Sequence, residues 1–147
     1  MRSVCGPINN AEREILVGAY GLTAGSRIVE ALVPAKERGV DVRLIADKTS
    51  PCERESGIEP LAAAGVPIWI DAQARIAHAK TLVIDGAVTL TGSMNWTRGA
   101  AVNSEDLNLI SSPAAAAAYA PCTGTNASLS RSGLIAARTG AGVSSRA

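Results

Sequence analysis

Apolar and polar positions repeat along the first half of the chain with the periods of strands and helices in turn. The predicted elements are strands over residues 14–20, 40–46 and 66–70 and helices over residues 27–38 and 57–64. Ser26 is a suitable N-cap for the first helix, Pro34 predicts a kink within it, and Gly39 ends it. The order strand, helix, strand, helix, strand is typical of a parallel α/β sheet with right-handed crossovers.

The pattern changes in the second half of the chain. Apolar runs over residues 78–84 and 87–91 flank Asp85-Gly86, a pair that favours a tight turn, so these residues predict a β-hairpin. The remaining predicted elements are a helical turn within residues 96–102, a strand over residues 106–110 and a short helix over residues 114–120 behind Pro113.

Three segments follow from this pattern. Residues 121–147 are mostly Ala, Gly, Ser and Thr, contain no acidic residue and show no sustained period, which predicts a disordered or aberrant tail. Residues 14–120 form the predicted folded domain, and residues 1–13 are a short lead before it.

The composition limits which residues can form the core and which kinds of site the chain can carry. Hydrophobic residues make up 47% of the 147 residues, and only 3% are aromatic with no Phe, so the core is expected to be aliphatic. The net charge of +1 gives no basic field over the whole chain, and any basic site must be local. His78 is the single histidine, and the three cysteines show no metal-ligand spacing. We therefore expect neither a metal nor a cofactor.

The start of the chain has no apolar targeting segment. The apolar run over residues 15–26 is too short and too rich in glycine to span a bilayer. The protein as written is expected to be cytoplasmic, and a periplasmic location is expected if the true N-terminus is missing.

Polar side chains gather around the predicted hairpin. His78 and Lys80 share one face of a strand because they are two residues apart. A two-residue turn at Asp85-Gly86 would pair Ile84 with Ala87, and counting back places Ser93 opposite His78 and Thr91 opposite Lys80. Asn95 returns to the same face if the chain stays extended.

This set of groups suits a phosphodiester. Lysine supplies charge to the non-bridging oxygens, serine and asparagine supply neutral donors, and histidine supplies a nucleophile or a proton carrier near neutral pH. A lone His-x-Lys pair is more often a solvated strand end. The combined pattern, His78-x-Lys80 with Asp85 and then Gly92-Ser93-x-Asn95, is far more specific.

That pattern resembles the HKD signature of the phospholipase D superfamily. Around it, Tyr20-Gly-Leu-Thr, Ala35-Lys-Glu-Arg-Gly-Val-Asp-Val-Arg, Ala64-Gly-Val-Pro and Asn103-Ser-Glu105 resemble small bacterial Nuc-type endonucleases and the related mitochondrial cardiolipin hydrolase (Zucchini) branch. The resemblance covers about residues 14–120. It implies an α/β sandwich with a mixed, mostly parallel sheet flanked by helices and one HKD motif per chain. The lead is too short for the strand and long helix with which Nuc-like chains begin.

The resemblance also implies a mechanism. His78 would be the nucleophile that forms a phosphohistidine, and a second HKD histidine would protonate the leaving group and then activate water. Lys80 and Asn95 would hold the phosphate with help from Ser93, and Glu105 matches the family acid that orients a histidine. No metal is required. Asp85 belongs to the motif, but the hairpin turn already explains it and we favour a structural role.

One histidine is not enough for this reaction in one chain. Either two chains pair across a two-fold axis, as the Nuc branch does, or the chain is inactive. A homodimer that shares one active site is therefore the expectation.

Three further residues have weaker cases. Trp96 follows the phosphate-binding loop and is either a platform for a base or a buried wall of the pocket. Arg75 and Arg98 flank the motif and either meet a polyanion or are solvated.

Three functions stay open on the sequence. They are a metal-independent endonuclease that acts on DNA or RNA, a phospholipase D-type enzyme that cleaves phospholipids or cardiolipin, and an inactive truncated remnant that binds phosphate. The absence of an amphipathic basic helix from the sequence pattern weakens the lipid interpretation, and the near-neutral charge slightly weakens the nuclease. Small chains with one HKD motif resemble the nucleases more, so the nuclease is preferred.

Overall fold

A computed structural model describes residues 4–120, Thr123 and residues 133–135. The strands are β1 (Glu14–Ala19), β2 (Asp41–Asp47), β3 (Ile68–Asp71), β4 (Lys80–Ile84), β5 (Val88–Gly92), β6 (Leu107–Ser111) and β7 (Gly133–Ile135). The α-helices are α1 (Gly6–Asn9), α2 (Arg27–Glu37), α3 (Ile58–Ala63) and α4 (Pro113–Tyr119), with 3-10 turns at Ser50–Cys52 and Gly99–Val102. The strands and helices predicted between residues 14 and 120 are thus present, with ends that differ by a residue or two.

The described strands form one mixed sheet in the order β6-β5-β4-β1-β2-β3-β7. The α/β fold class is confirmed, but the prediction of a mostly parallel sheet is wrong. Among the described strands, β1 runs parallel to β2 and β2 to β3, whereas every other pair is antiparallel. Helical crossovers connect the parallel strands, whereas the short turn between β4 and β5 allows only antiparallel neighbours.

Helices cover both faces of the sheet. The larger core lies between one face and helices α1 to α3, where Ile15 and Val17 of β1 pack among residues such as Leu32 and Leu61. Leu16 points to the other face and packs with Val83 and Ala116 beneath α4. The alternation of neighbouring β1 side chains between two apolar layers makes this a sandwich.

Helix α2 begins and ends as the sequence predicts. The Ser26 hydroxyl accepts a hydrogen bond from the Val29 amide at 3.2 Å, which satisfies one of the free donors at the helix start. Pro34 lies inside the helix, which continues past it to Glu37. Gly39 follows with a φ of +94°, a conformation that glycine adopts without a steric penalty.

The β4–β5 hairpin differs from its prediction by one residue. Asp85 and Gly86 both have positive φ, and the Ala87 amide donates to the Ile84 carbonyl at 3.0 Å, as in a tight hairpin turn. Pairing then resumes between Ile84 and Val88, so Ala87 is an extra residue. Thr91 therefore lies opposite Thr81, and the predicted pairings of Thr91 with Lys80 and of Ser93 with His78 are wrong.

The Asp85 carboxylate ties this turn to the start of β1. It accepts hydrogen bonds from the backbone amides of Glu12, Arg13 and Glu14 at 3.0, 2.8 and 3.0 Å, and the Arg13 guanidinium donates to the Asp85 carbonyl. Burial favours the neutral acid, but the three amides and the Arg13 charge outweigh it and lower the pKa of Asp85. These contacts are those of a structural residue that sets the register of β4 against β1.

The two ends of the chain contribute short elements. Residues 6–9 of the lead form α1, which contacts α2. In the tail, residues 133–135 form β7 at the edge of the sheet beside β3, and the rest of the predicted disorder lies outside the described residues apart from Thr123. Within the described part of the chain, no helix combines the length and the hydropathy needed to cross a membrane.

Substituting Asp85→Asn should destabilise the protein near neutral pH by about 1–2 kcal/mol, since charged acceptors for three amides are lost. Asparagine tolerates the positive φ, so the change tests the charge and not the turn. Because folding lowers the pKa of Asp85, its contribution is complete above its ordinary pKa of 3.8 and disappears as the pH falls through the folded value.

Urea unfolding of both proteins between pH 7 and pH 3 measures this effect. We expect the difference in unfolding free energy to shrink toward the acidic end. A difference that stays constant across the range would contradict the electrostatic explanation.

Candidate active site

The predicted site residues meet at one edge of the sheet. Strand directions place the carboxyl ends of β1, β2, β3 and β5 there, together with the amino ends of β4 and β6. Lys80 begins β4, Gly92 ends β5, and Glu105 lies two residues before β6. Loops that leave the same edge carry His78, Ser93 and Asn95. The fold thus gathers residues that are up to 27 positions apart in the sequence, as Glu105 is from His78.

His78 and Lys80 are in direct contact. The Lys80 Nζ lies 3.1 Å from His78 Nδ1 and 3.2 Å from Nε2, and it donates to the His78 carbonyl at 3.1 Å. Lysine has only donors, so a bond to the ring needs a nitrogen with a lone pair, which only the neutral imidazole has. His78 is exposed whereas Lys80 is only 7% exposed.

The Lys80 charge is shaped by its surroundings. Burial lowers the pKa of the ammonium below its ordinary value of 10.5, and the negative charge of Glu105 partly opposes this effect. A buried ammonium with one carboxylate nearby leaves positive potential at the site for an anion.

A buried carboxylate, Asp47, holds the segment that carries His78. Asp47 ends β2 and is 1% exposed, and its Oδ2 accepts from the Ala77 amide at 2.7 Å. Its Oδ1 accepts from the Thr49 amide at 2.9 Å and from the Thr49 hydroxyl at 2.7 Å. Burial acts against ionisation, but these bonds and the Lys48 charge lower the pKa of Asp47. Sequence reasoning missed this residue; its signal was an acidic residue directly after a buried strand.

Glu105 binds Ser93 and Asn103. The Ser93 hydroxyl donates to Glu105 Oε2, and the Asn103 amide donates to Oε1 at 3.1 Å. These two bonds, with a further contribution from Lys80, lower the pKa of Glu105. Among the described contacts, Glu105 reaches His78 only through the field of Lys80, so an orienting bond to His78 of the same chain is not present.

Ser93 is held where β5 and β6 meet. Its hydroxyl also accepts from the Asp106 amide at 3.0 Å, and its own amide donates to the Asp106 carbonyl at 3.0 Å. Gly92 makes this approach possible, because a Cβ at that position would lie 2.0 Å from the Asp106 carbonyl oxygen. Gly92 is therefore a structural residue.

Asn95 lies beside the end of β1. Its side chain packs against Gly21, and the adjacent Trp96 pairs with the same segment through bonds from Trp96 N to Gly21 O at 3.0 Å and from Thr23 N to Trp96 O at 3.1 Å. The Asn95 Oδ1 atom is buried and has no hydrogen-bond partner among the described residues. An unpaired buried polar atom is costly unless a ligand binds it.

Trp96, Arg98 and Arg75, the three weaker candidate site residues, have different surroundings in the structure. Trp96 is fully buried and its indole donates to the Gly18 carbonyl at 3.1 Å, so it is a wall of the core and not a surface for a base. Arg98 forms an ion pair with Glu55, and both side chains are exposed. Arg75 is exposed on the loop before His78. In the described part of the chain, no group of three or more His, Cys, Asp or Glu side chains is arranged to hold a metal ion.

Several known proteins are similar to this chain in sequence and in fold. Residues 4–121 match the family model described as "Cardiolipin synthase, PLD-like domain". The crystal structure of Nuc from Salmonella typhimurium, a phospholipase D family member, is similar with a TM-score of 0.74 and 35% identity, over 79% of this chain and 78% of Nuc. NucT from Helicobacter pylori shares the fold, with a TM-score of 0.68 and 20% identity over 81% of this chain and 83% of NucT.

Curated relatives give the same result. A phospholipase D from Rickettsia prowazekii is 36% identical over 113 residues, which are 76% of this chain and 55% of the relative. A mitochondrial cardiolipin hydrolase from Xenopus tropicalis is 37% identical over 87 residues, which are 59% of this chain and 41% of the relative. The chain spans about half the length of these relatives. Its matched domain, its fold and its contact between His78 and Lys80 agree: the chain belongs to the phospholipase D-like family.

Proposed function

We propose that this chain is a metal-independent phosphodiesterase, most simply an endonuclease that hydrolyses DNA or RNA through a phosphohistidine at His78 in a homodimer. The observation that carries the proposal is the exposed imidazole of His78 in direct contact with the buried ammonium of Lys80. Family membership supplies the reaction class. The substrate, the covalent intermediate and the dimer are parts of the proposal.

In the proposed reaction, a lone pair of the His78 imidazole attacks phosphorus. The bond from phosphorus to the leaving oxygen breaks, and a second histidine gives that oxygen a proton. The same histidine then takes a proton from water, and the resulting hydroxide breaks the phosphorus–nitrogen bond. Protons and charge balance over the two steps, and no metal enters.

Three side chains are proposed to stabilise the phosphate. Lys80 supplies a fixed positive charge in a buried position, where it acts more strongly than in water. The Asn95 carboxamide lacks a partner for its oxygen among the described residues, so its amide end can turn toward a phosphate oxygen. The Ser93 hydroxyl lies at the same edge, with Glu105 as its present partner.

Glu105 fits a supporting role in this proposal. It fixes the Ser93 hydroxyl and helps Lys80 to keep its proton. A direct bond from Glu105 to a histidine would have to come from a second chain, since this chain's His78 contacts Lys80 instead.

The single histidine supports the dimer. The proposed reaction needs one nucleophile and one proton carrier, and each chain supplies one imidazole. Two copies related by a two-fold axis near the edge that carries His78 would bring two imidazoles to one phosphate.

A lipid phosphodiesterase is the second candidate. Relatives bear the names phospholipase D and mitochondrial cardiolipin hydrolase, and the matching family model bears the name of cardiolipin synthase. The nuclease is preferred because the chain resembles the small Nuc-type endonucleases over most of both chains.

A side-by-side assay in EDTA decides between these substrates. We expect cleavage of DNA or RNA and little cleavage of phosphatidylcholine or cardiolipin vesicles. His78→Ala is the matched control: it should lower turnover at least about a thousandfold while far-UV circular dichroism stays unchanged, because the nucleophile is lost from an exposed position. Dependence on added metal, or full activity of His78→Ala, would contradict the proposal; cleavage of lipid alone would favour the second candidate.

The pH dependence of activity tests the Lys80 assignment. If the ammonium binds phosphate, kcat/KM should fall at alkaline pH as Lys80 loses its proton. The midpoint of this fall should lie below the ordinary lysine pKa of 10.5, because burial lowers the Lys80 pKa. Glu105→Gln removes the charge that raises this pKa, so its alkaline limb should move to lower pH. Lys80→Arg should lose the limb because arginine stays charged. A Glu105→Gln profile with an unchanged limb would argue against the assignment.

Mixing chains tests the shared site. The 147-residue chain should run as a dimer of about 30 kDa, twice the 15.0 kDa of one chain. Co-expression with an excess of His78→Ala chains should reduce activity more than dilution does, since each mixed dimer lacks one imidazole. Active monomers, or activity proportional to the wild-type fraction, would refute the shared site.

A further inference from the structure

We propose that Tyr20 is a positioning residue for the nucleophile: its ring holds the His78 imidazole and the Lys80 ammonium in their mutual arrangement. The proposal rests on the proposed function for its catalytic consequence. The contact itself can be measured without activity.

The three groups contact one another pairwise. The Tyr20 and His78 rings have centroids 4.4 Å apart and are tilted by 51°, a favourable aromatic arrangement. The Lys80 Nζ lies 5.0 Å from the centroid of the Tyr20 ring and 3.1 Å from His78 Nδ1. Tyr20 is thus the one described aromatic side chain that touches both groups.

Hydrogen bonds to neighbouring segments of the site hold the Tyr20 backbone in place. Its amide donates to the Ala79 carbonyl at 2.8 Å, between His78 and Lys80, and its carbonyl accepts from the Ser50 hydroxyl at 2.9 Å. The next residue, Gly21, packs against Asn95. Tyr20 therefore moves only if several site segments move with it.

His78 needs such a neighbour. It is exposed and lies before the first residue of β4, so the strand ladder does not hold its side chain. Asp47 fixes the backbone at Ala77, the residue before His78, and does not restrict the rotation of the imidazole about its own side-chain bonds. The Tyr20 ring supplies the missing constraint on the imidazole.

An aromatic face suits this position chemically. It attracts the Lys80 ammonium through its quadrupole but carries no full negative charge. A carboxylate in the same place would neutralise the lysine and repel a phosphate. Both contacts are made by the ring face and not by the phenol hydroxyl, so phenylalanine should be able to replace tyrosine.

Three variants test the proposal by kinetics. Tyr20→Leu should lower kcat by about tenfold to a hundredfold, since misplacing a nucleophile by a fraction of its contact distance has effects of that order. Tyr20→Phe should stay within about threefold of wild type. Tyr119→Leu is the matched control, because Tyr119 is the chain's other tyrosine and lies on α4. Wild-type kcat in Tyr20→Leu, or equal losses in Tyr20→Phe and Tyr20→Leu, would overturn the proposal.

Proton NMR gives a readout that a merely structural role would not move. His78 is the single histidine, so the free protein shows one set of imidazole C–H signals. The tyrosine ring current should displace these signals; the displacement should persist in Tyr20→Phe and Tyr119→Leu and vanish in Tyr20→Leu. Identical signals in Tyr20→Leu and wild type would overturn the contact.

The kinetic and NMR measurements distinguish a failure of the Tyr20 proposal from a failure of the proposed function. A wild-type protein that cleaves no phosphodiester refutes the proposed function, and the NMR comparison then still decides whether Tyr20 holds the imidazole. If Tyr20→Leu does not fold, Tyr20→Met provides a second flexible apolar replacement with the same expected loss of ring current. Unfolding of both variants alongside a stable Tyr20→Phe supports a role of the ring; unfolding of all three counts against positioning as its role.

Discussion

The burial of the Lys80 ammonium is the constraint on which the rest of the site depends. Removing a positive charge from water is costly, and here it takes place at the start of the inner strand β4, where Lys80 is 7% exposed. The compensation comes from the His78 carbonyl and ring, from the face of Tyr20 and from the field of Glu105. Each of these partners is also a group at the proposed site. The interactions that make the buried charge tolerable therefore also arrange the groups of the proposed site.

Two further carboxylates fix the frame around that charge. Asp85 anchors one end of β4 to the start of β1, and Asp47 anchors the loop before the other end. Both act on backbone amides and both have lowered pKa values despite burial. Asp85 thus stabilises the hairpin from the end opposite to His78, which is a structural reason for an aspartate far from the proposed phosphate site.

The family comparison and the site geometry contribute different parts of the proposed function. Membership of the phospholipase D-like family supports the proposed phosphodiester chemistry. The contact of His78 with Lys80 and the unpaired oxygen of Asn95 are the observations behind the proposed site. Glu105 departs from the expected orienting bond within one chain and holds Ser93. The single imidazole per chain has a related consequence: in the proposed two-histidine reaction, a second copy would supply the other imidazole.

The sequence by itself determined the elements and the α/β fold class, and it predicted the members of the HKD motif, because periodicity, caps and motif spacing are local properties. Only the tertiary structure decided the hairpin register, where the extra residue Ala87 moves Thr91 opposite Thr81. It also decided that Trp96 is a buried wall, that Asp47 binds the Ala77 amide beside His78, and that the Tyr20 ring lies against the His78 ring. Strand directions, too, were settled by tertiary pairing. These features depend on which residues distant in the chain come into contact, and no local pattern encodes the partner of a buried carboxylate or of a ring face.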